Sequence, residues 1–122
     1  MCRRQPAPST TVRPVRIELL YFEGCPSFKA LLPSLRALLR REGVDEEVKL
    51  RRVESVEGAE RERFLGSPTV RIDGIDIDPG AAERDDFGLN CRIYRSAEGA
   101  SGIPPEHWIT EAVRRERTGP EA

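Results

Sequence analysis

The chain has 122 residues, of which 34% are charged, and its formal net charge at pH 7 is −1. This length is enough for one domain with an apolar core, and the nearly neutral charge offers no general attraction to nucleic acid or anionic lipid. Because no apolar run approaches the roughly 18 residues that span a membrane, we expect neither a nucleic-acid nor a membrane partner.

The two ends of the chain are predicted to lie outside the folded domain. Residues 1–14 are rich in arginine, proline, serine and threonine and contain no apolar core, so they lack the pattern of a secretory signal. We expect a disordered tail there, a domain over residues 15–117 and frayed residues at 118–122. The cytoplasm is then the expected compartment, where disulfides are rare unless they are catalytic.

The domain begins with a predicted strand that leads directly into a helix. Residues 15–22 end as a continuous apolar run with β-branched and aromatic side chains, which is typical of a buried strand. Gly24-Cys25-Pro26 ends this run, and apolar residues from Phe28 to Leu39 then recur at helical spacing. Proline is favoured at the first helical position, so Cys25 is predicted to be the N-cap residue.

That position favours thiol chemistry at Cys25. The first amides of a helix have no intrahelical partner, and the positive end of the helix dipole lies beside them. A thiol in such a setting ionises more readily, and the thiolate is the reactive species. The alternative is a buried structural cysteine that happens to end a strand. The other cysteines, Cys2 and Cys91, add no CxxC or CxxH zinc spacing.

The remaining elements alternate between strand and helix and then turn back in a hairpin at Asp73-Gly74, a strong two-residue turn signal. The predicted elements are a strand at 47–53 covered on one face, a helix at 55–64, strands at 69–72 and 75–77, and a helix that opens at Pro104-Pro105. The order β-α-β-α-β-β-α predicts an α/β fold with a mixed four-stranded sheet flanked by helices. An insertion at about 79–103 precedes the last helix.

The insertion carries weaker patterns. Six acidic residues lie between 73 and 86, and we interpret them as a solvated loop rather than a cation site. Residues 91–94 are predicted to form an extra short strand, on which Cys91 would be a small apolar residue if it has no chemical role. The single histidine, His107, is predicted to be a surface residue in the first turn of the last helix.

Taken together, these motifs resemble the thioredoxin-like fold over roughly Arg16 to Val113, apart from the insertion. Cys25 lies at the strand-to-helix junction, and Pro33 follows eight residues later, where thioredoxins carry a helix-kinking proline. Ser67-Pro68-Thr69 is similar to the cis-proline loop of that family. The resemblance implies a cis-Pro68 opposite Cys25 and a substrate site formed by Gly24, Pro26, Ser67, Pro68 and Thr69, with main-chain contacts from Ser67 and Thr69.

The departures from the family narrow the chemistry. Phe28 stands where the second cysteine of a CxxC motif would be, Gly24 replaces the usual tryptophan, and Leu19 replaces the buried acid. An ordinary dithiol reductase is therefore excluded. The segments around Cys25 and at 85–94 are also similar to small bacterial thioredoxin-like proteins, some labelled alkylmercury lyase-like. The Cys, Asp and Cys pattern of that enzyme does not map onto this sequence residue by residue.

Three functions are consistent with these residues. The first is a cofactor-free thiol-disulfide oxidoreductase of monothiol or atypical two-Cys type, in which Cys25 forms an adduct with a disulfide-containing protein or a low-molecular-weight thiol. Cys91, an external thiol or a partner protein would resolve the adduct; a Cys25–Cys91 bridge requires α-carbons within about 7 Å. The second is soft-metal or organomercurial handling by the two thiolates. The third is a non-catalytic binding module.

Overall fold

A computed structural model describes residues 14–118, apart from the side chain of Thr118. Residues 1–13 of the predicted N-terminal tail and residues 119–122 of the predicted frayed C-terminus therefore lie outside the described residues. The helices are α1 (Pro26–Arg41), α2 (Val56–Glu62) and α3 (Glu106–Thr118). The strands are β1 (Ile17–Tyr21), β2 (Val48–Arg52), β3 (Thr69–Ile72), β4 (Ile75–Asp76), β5 (Tyr94–Ser96) and β6 (Gly99–Ser101). No helix in this part of the chain is long and apolar enough to cross a membrane.

The main sheet has four strands in the order β2-β1-β3-β4, and it is mixed as predicted. Strand β1 pairs in parallel with β2 and antiparallel with β3, and β3 pairs antiparallel with β4. The register sets Leu20 opposite Thr69. The C-terminal end of β1 therefore lies beside the N-terminal end of β3. The segment after β1, which carries Cys25, and the segment before β3, which carries Pro68, thus join the sheet at the same end of its strands.

Helices cover both faces of this sheet. Successive side chains of β1 point to opposite faces, so neighbouring residues of this strand belong to different cores. Leu19 belongs to the larger core. Leu20 belongs to a smaller core with Ala59 of α2 and with Phe64, which follows that helix. The larger core is fully apolar apart from one tyrosine and is built from β1, β3, α1, α3 and the connecting segments: Val15, Ile17, Leu19, Leu31, Leu35, Leu38, Leu39, Val44, Val70, Ile72, Ile77, Tyr94, Ile109, Ala112 and Val113.

The predicted element boundaries and turns are largely confirmed. Helix α1 starts at Pro26 with Cys25 as its N-cap, and Ser55 caps α2 by accepting a hydrogen bond from the Gly58 amide at 2.9 Å. Asp73 and Gly74 form the hairpin turn between β3 and β4, both with positive φ (55° and 82°), as the Asp-Gly signal indicates.

Strand β2 differs from the prediction that one of its faces is covered. No residue of Val48–Arg52 is buried in this edge strand, and only Val48 at its start packs against the larger core as a partly buried apolar residue. Leu50 is 42% exposed, whereas its register partner Leu19 is fully buried. The alternation of apolar and charged residues predicts the strand, but it does not distinguish an exposed edge strand from an inner strand that is covered on one face.

The insertion has its own small structure. After a short 3-10 helix at Ala81–Glu83, β5 and β6 form a separate two-stranded antiparallel sheet. An extra strand is predicted at residues 91–94, but β5 begins only at Tyr94. Cys91 instead forms an isolated bridge with Ser67. The insertion therefore pairs with the segment that precedes β3.

Candidate functional site

Cys25 has the backbone position that the sequence predicts. Its φ and ψ of −78° and 113° are extended, its amide donates to the Phe22 carbonyl at 3.4 Å, and Pro26 is the first helical residue. The side chain of Cys25 makes no capping hydrogen bond. Although Gly24 and Pro26 on either side are exposed, Cys25 itself is only 2% exposed. The side chain of Cys25 is therefore buried, although the residues immediately before and after it are exposed to solvent.

The loop before β3 is buried as well. The Ser67–Pro68 peptide bond is cis, in agreement with the implication of the family resemblance. Ser67, Pro68 and Thr69 are all buried, and the Thr69 hydroxyl donates to the Gly66 carbonyl at 2.6 Å. Among the described residues, the Ser67 Oγ is one of two buried side-chain polar atoms without a hydrogen-bond partner; the other is the Arg92 Nε.

Residues 88–102, here called the strap, contact this loop through their main chain. The Ser67 amide donates to the Asn90 carbonyl at 2.9 Å, and the Arg92 amide donates to the Ser67 carbonyl at 2.9 Å. Cys91 is therefore the bridge partner of Ser67, and its side chain is exposed. Both main-chain hydrogen-bonding groups of Ser67 are occupied by the protein's own chain.

A glycine allows this close approach. A Cβ atom at Gly66 would lie 2.9 Å from both the Asn90 carbonyl oxygen and its Nδ2, and the φ of +133° is unfavourable for other residues. Any side chain at position 66 would therefore push the strap away from Ser67.

A buried ion cluster, formed by Arg92, Asp76 and Asp78, fixes the strap to the sheet. The Arg92 side chain is fully buried and lies 2.7 and 3.1 Å from the two Asp76 carboxylate oxygens and 3.2 Å from Asp78. It also donates to the Thr69 hydroxyl at 2.9 Å. Because the two terminal nitrogens of the guanidinium each donate to an Asp76 carboxylate oxygen, the geometry is the bidentate kind that stabilises a buried arginine, although the Nε has no partner.

This cluster corrects the interpretation of the acidic segment. Asp76 and Asp78 have side chains only 13% and 15% exposed, so they are not part of a solvated loop. The interpretation holds for Glu83, Asp85 and Asp86, which are exposed. Sequence periodicity could not separate the two groups, since the partner of Asp76 and Asp78 lies 14 to 16 residues further along the chain.

Tyr94 fixes the strap to the proline loop. Its hydroxyl donates a hydrogen bond to the Pro68 carbonyl, its ring lies under the Arg92 guanidinium at 4.5 Å, and it meets Trp108 edge to face at 6.2 Å. Burial raises the pKa of the Tyr94 phenol far above its ordinary value, although the Arg92 charge acts in the opposite direction. The phenol therefore stays protonated and remains a donor.

The far end of the strap reaches the first turn of α1. A Cβ atom at Gly102 would lie 2.6 Å from the Ser27 Oγ, two residues after Cys25. On the other side of that turn, Phe28 stacks on Tyr21 with ring centroids 3.9 Å apart and planes 5° from parallel. The residue three positions after Cys25 is thus a packed aromatic ring and not a second thiol.

The sequence singled out Cys25, Pro68 and Cys91 as candidate site residues, but it did not predict the buried contacts of Arg92 and Tyr94 beside them. Residues 91–94 alternate exposed and buried in the structure, but the hydropathy of the sequence does not reveal which of them are buried. Hydropathy would turn Ile93 inward, yet Ile93 is 47% exposed and Arg92 is buried. His107 is exposed in the first turn of α3, as predicted. Within residues 14–118 no three His, Cys, Asp or Glu side chains form a group that could hold a metal ion.

Comparisons of the chain with protein-family models, with curated proteins and with solved structures give no significant match.

Proposed function

We propose that this protein is a thioredoxin-like thiol-disulfide oxidoreductase of monothiol or atypical two-Cys type, acting in the reducing cytoplasm. One observation carries the proposal: residues 67–69 link the two cysteine-bearing segments. Thr69 pairs with Leu20 at the end of the strand that leads to Cys25, and Ser67 pairs with Cys91. The sheet order and the helix that starts beside Cys25 support the same reading.

The first step is attack of the Cys25 thiolate on one sulfur of a disulfide. A bond forms between Cys25 and that sulfur, the disulfide bond breaks, and the other half leaves as a thiolate that takes up a proton. Cys25 is oxidised to a mixed disulfide, and the leaving half is reduced. A second thiol then attacks the mixed disulfide: attack on the Cys25 sulfur releases the bound group as a thiol, whereas attack on the sulfur of the bound group releases the Cys25 thiol, and the bound group leaves as a disulfide with the attacking thiol.

The second thiol distinguishes the two types. In the two-Cys type it is Cys91, which is exposed on the strap, and the product is a Cys25–Cys91 disulfide. In the monothiol type it is an external thiol, and Cys25 returns to the reduced form. Both cysteines are free thiols in this structure.

The test is incubation of the reduced protein with oxidised glutathione, followed by intact-mass and non-reducing peptide analysis. We expect one glutathione adduct on Cys25, and its absence in Cys25→Ser. In the two-Cys type, the wild type converts the adduct to a Cys25–Cys91 disulfide, and Cys91→Ser accumulates the adduct. All variants carry Cys2→Ser, so that the cysteine of the N-terminal segment does not contribute. A Cys25 that forms no adduct with any disulfide overturns the proposal.

The burial of Cys25 supports a second candidate, a non-catalytic binding module. A thiol that is 2% exposed, beside an aromatic ring where a resolving thiol would be, is also what a structural cysteine looks like. The glutathione experiment separates the two functions. An unreactive Cys25 in the folded protein would favour the module, for which Cys25→Ser would keep binding intact.

A further inference from the structure

We infer that the strap restricts the chemistry of Cys25 to low-molecular-weight disulfides and excludes extended protein segments. This inference rests on the proposed function and names the substrate class of that same site. Arg92 and Asp78 act in it as positioning residues, since they hold the strap and do not touch the substrate.

The first argument is that the main chain beside the site is already paired. An extended peptide docks onto a protein by hydrogen bonds to free backbone N–H and C=O groups at a strand edge. At Ser67 both groups are used, the amide by the Asn90 carbonyl and the carbonyl by the Arg92 amide, each at 2.9 Å. A second polypeptide would have to break both bonds and displace the strap.

The second argument is that the strap is not free to leave. Moving residues 90–92 away from Ser67 would also pull the Arg92 guanidinium from Asp76, Asp78 and Thr69. Two carboxylates of low exposure would then lack their counter-charge, which is strongly unfavourable. The hydrogen bond from Tyr94 to the Pro68 carbonyl holds the strap at a further point.

The third argument concerns access to the sulfur. The strap approaches the first turn of α1 at Gly102 and Ser27, and Cys25 is almost completely buried. The exposed residues next to Cys25 are Gly24 and Pro26. Approach from that side suits a small disulfide, whose reacting sulfur is not flanked by folded chain. A disulfide within an extended protein segment brings a backbone on both sides and meets the strap.

The reaction balances with small molecules alone. Cys25 attacks a disulfide R–S–S–R, forms the mixed disulfide Cys25–S–S–R and releases R–SH. A second low-molecular-weight thiol R′–SH then attacks the R sulfur of that mixed disulfide, which yields R–S–S–R′ and the free Cys25 thiol. The net change is exchange between a small disulfide and a small thiol.

The test uses two probes with one leaving group. The mixed disulfides of thionitrobenzoate with cysteine and with an extended cysteine-containing octapeptide release the same coloured thiolate, so they differ in size and not in leaving-group chemistry. The protein carries Cys2→Ser and Cys91→Ser, so that Cys25 alone reacts. We expect the cysteine probe to react at least about tenfold faster, a difference of about 1.4 kcal/mol in activation free energy.

Two matched variants attribute the difference to the strap. Asp78→Asn removes one carboxylate from Arg92, and Asp86→Asn makes the same change at an exposed residue paired with Arg84. We expect Asp78→Asn to bring the two rates towards parity and Asp86→Asn to keep the wild-type ratio. Val53→Ala, in the smaller core that contains no residue of the strap, controls for lost stability and should also keep the ratio; circular dichroism confirms that each variant is folded at the assay temperature.

The outcomes separate the two proposals. Equal rates of the two probes in the parent protein overturn the inference on substrate class and leave the thiol chemistry standing. A size preference that Asp78→Asn does not reduce overturns the role of the strap. Reaction with neither probe overturns the proposed function itself.

Discussion

The sheet and the strap bury their side chains by opposite means. On β1 the fully buried side chains are apolar, with Leu19 and Leu20 between the sheet and its helices, and the one buried charge, Glu18, is paired with Arg51. On the strap the large buried residues are Arg92 and Tyr94, which form an ion cluster and a hydrogen bond to main chain. The stability lost from apolar packing grows with the number of atoms that a substitution removes. A buried ion cluster, in contrast, is strongly destabilised when a single partner is removed, because a charge then stays buried without its counter-charge.

Breaking the ion cluster should have the largest effect. Arg92→Ala leaves Asp76 and Asp78 without their counter-charge, and we expect a loss of about 3–5 kcal/mol in the free energy of unfolding. Urea unfolding followed by circular dichroism measures it. Arg92→Gln combined with Asp76→Asn and Asp78→Asn leaves no charge in this cluster, and it should lose less than Arg92→Ala. A triple variant as unstable as the single one would contradict the electrostatic explanation.

The core of the sheet provides the matched apolar test. Leu19 and Leu50 are register partners on β1 and β2, one fully buried and the other 42% exposed. Leu19→Ala should cost about 2–5 kcal/mol, and Leu50→Ala should change stability by no more than about 0.5 kcal/mol. The two unfolding midpoints in urea, compared at equal slope, check this. Similar losses at both positions would mean that β2 is covered in solution.

Removing the Tyr94 hydroxyl should have a smaller effect. Tyr94→Phe keeps the ring contacts with Trp108 and Arg92 but leaves the buried Pro68 carbonyl without its donor. We expect a loss of about 1–3 kcal/mol in the free energy of unfolding. Thermal unfolding at neutral pH measures it, and Tyr21→Phe, on a half-buried ring of the main sheet, serves as the control. An unchanged midpoint for Tyr94→Phe would show that the hydrogen bond contributes nothing net.

The same phenol makes stability depend on alkaline pH. Because burial raises the pKa of Tyr94, the folded protein retains this proton where the unfolded chain, with a tyrosine pKa of about 10, has lost it. The folded state then binds more protons, so stability falls as pH rises above about 10, by up to about 1.4 kcal/mol per pH unit. Unfolding measured in steps through that range should show this slope in the wild type and its absence in Tyr94→Phe. Parallel slopes would exclude Tyr94 as the cause.

The same contrast between apolar burial in the sheet and polar burial in the strap explains which parts of the structure could be predicted from the sequence. The apolar stripe from Phe28 to Leu39, the Pro26 start and the Asp73-Gly74 turn are local signals, and each predicted its element. The order of these elements was sufficient for the α/β class and the mixed sheet. The position of Cys25 at the N-cap followed from its two neighbours in the chain.

The strap could not be read in this way, because its contacts are distant in sequence and polar. Nothing in the local pattern joins Arg92 to Asp76, or Tyr94 to the Pro68 carbonyl 26 residues earlier. Hydropathy points in the wrong direction at Ile93 and Arg92. The near-complete burial of Cys25 was likewise not predicted, since it depends on how the loops around it pack.

The composition of β2 has a consequence for self-association. Among residues 14–118 this strand is an edge of the main sheet with no further strand beside it, and unpaired edges are templates on which a second copy of a chain can add a strand. Three of its five residues, Lys49, Arg51 and Arg52, are cationic. Arg51 and Arg52 are each paired with two glutamates, so a strand added at this edge would have to lie among charged side chains whose burial is unfavourable, which is one way in which proteins protect a sheet edge.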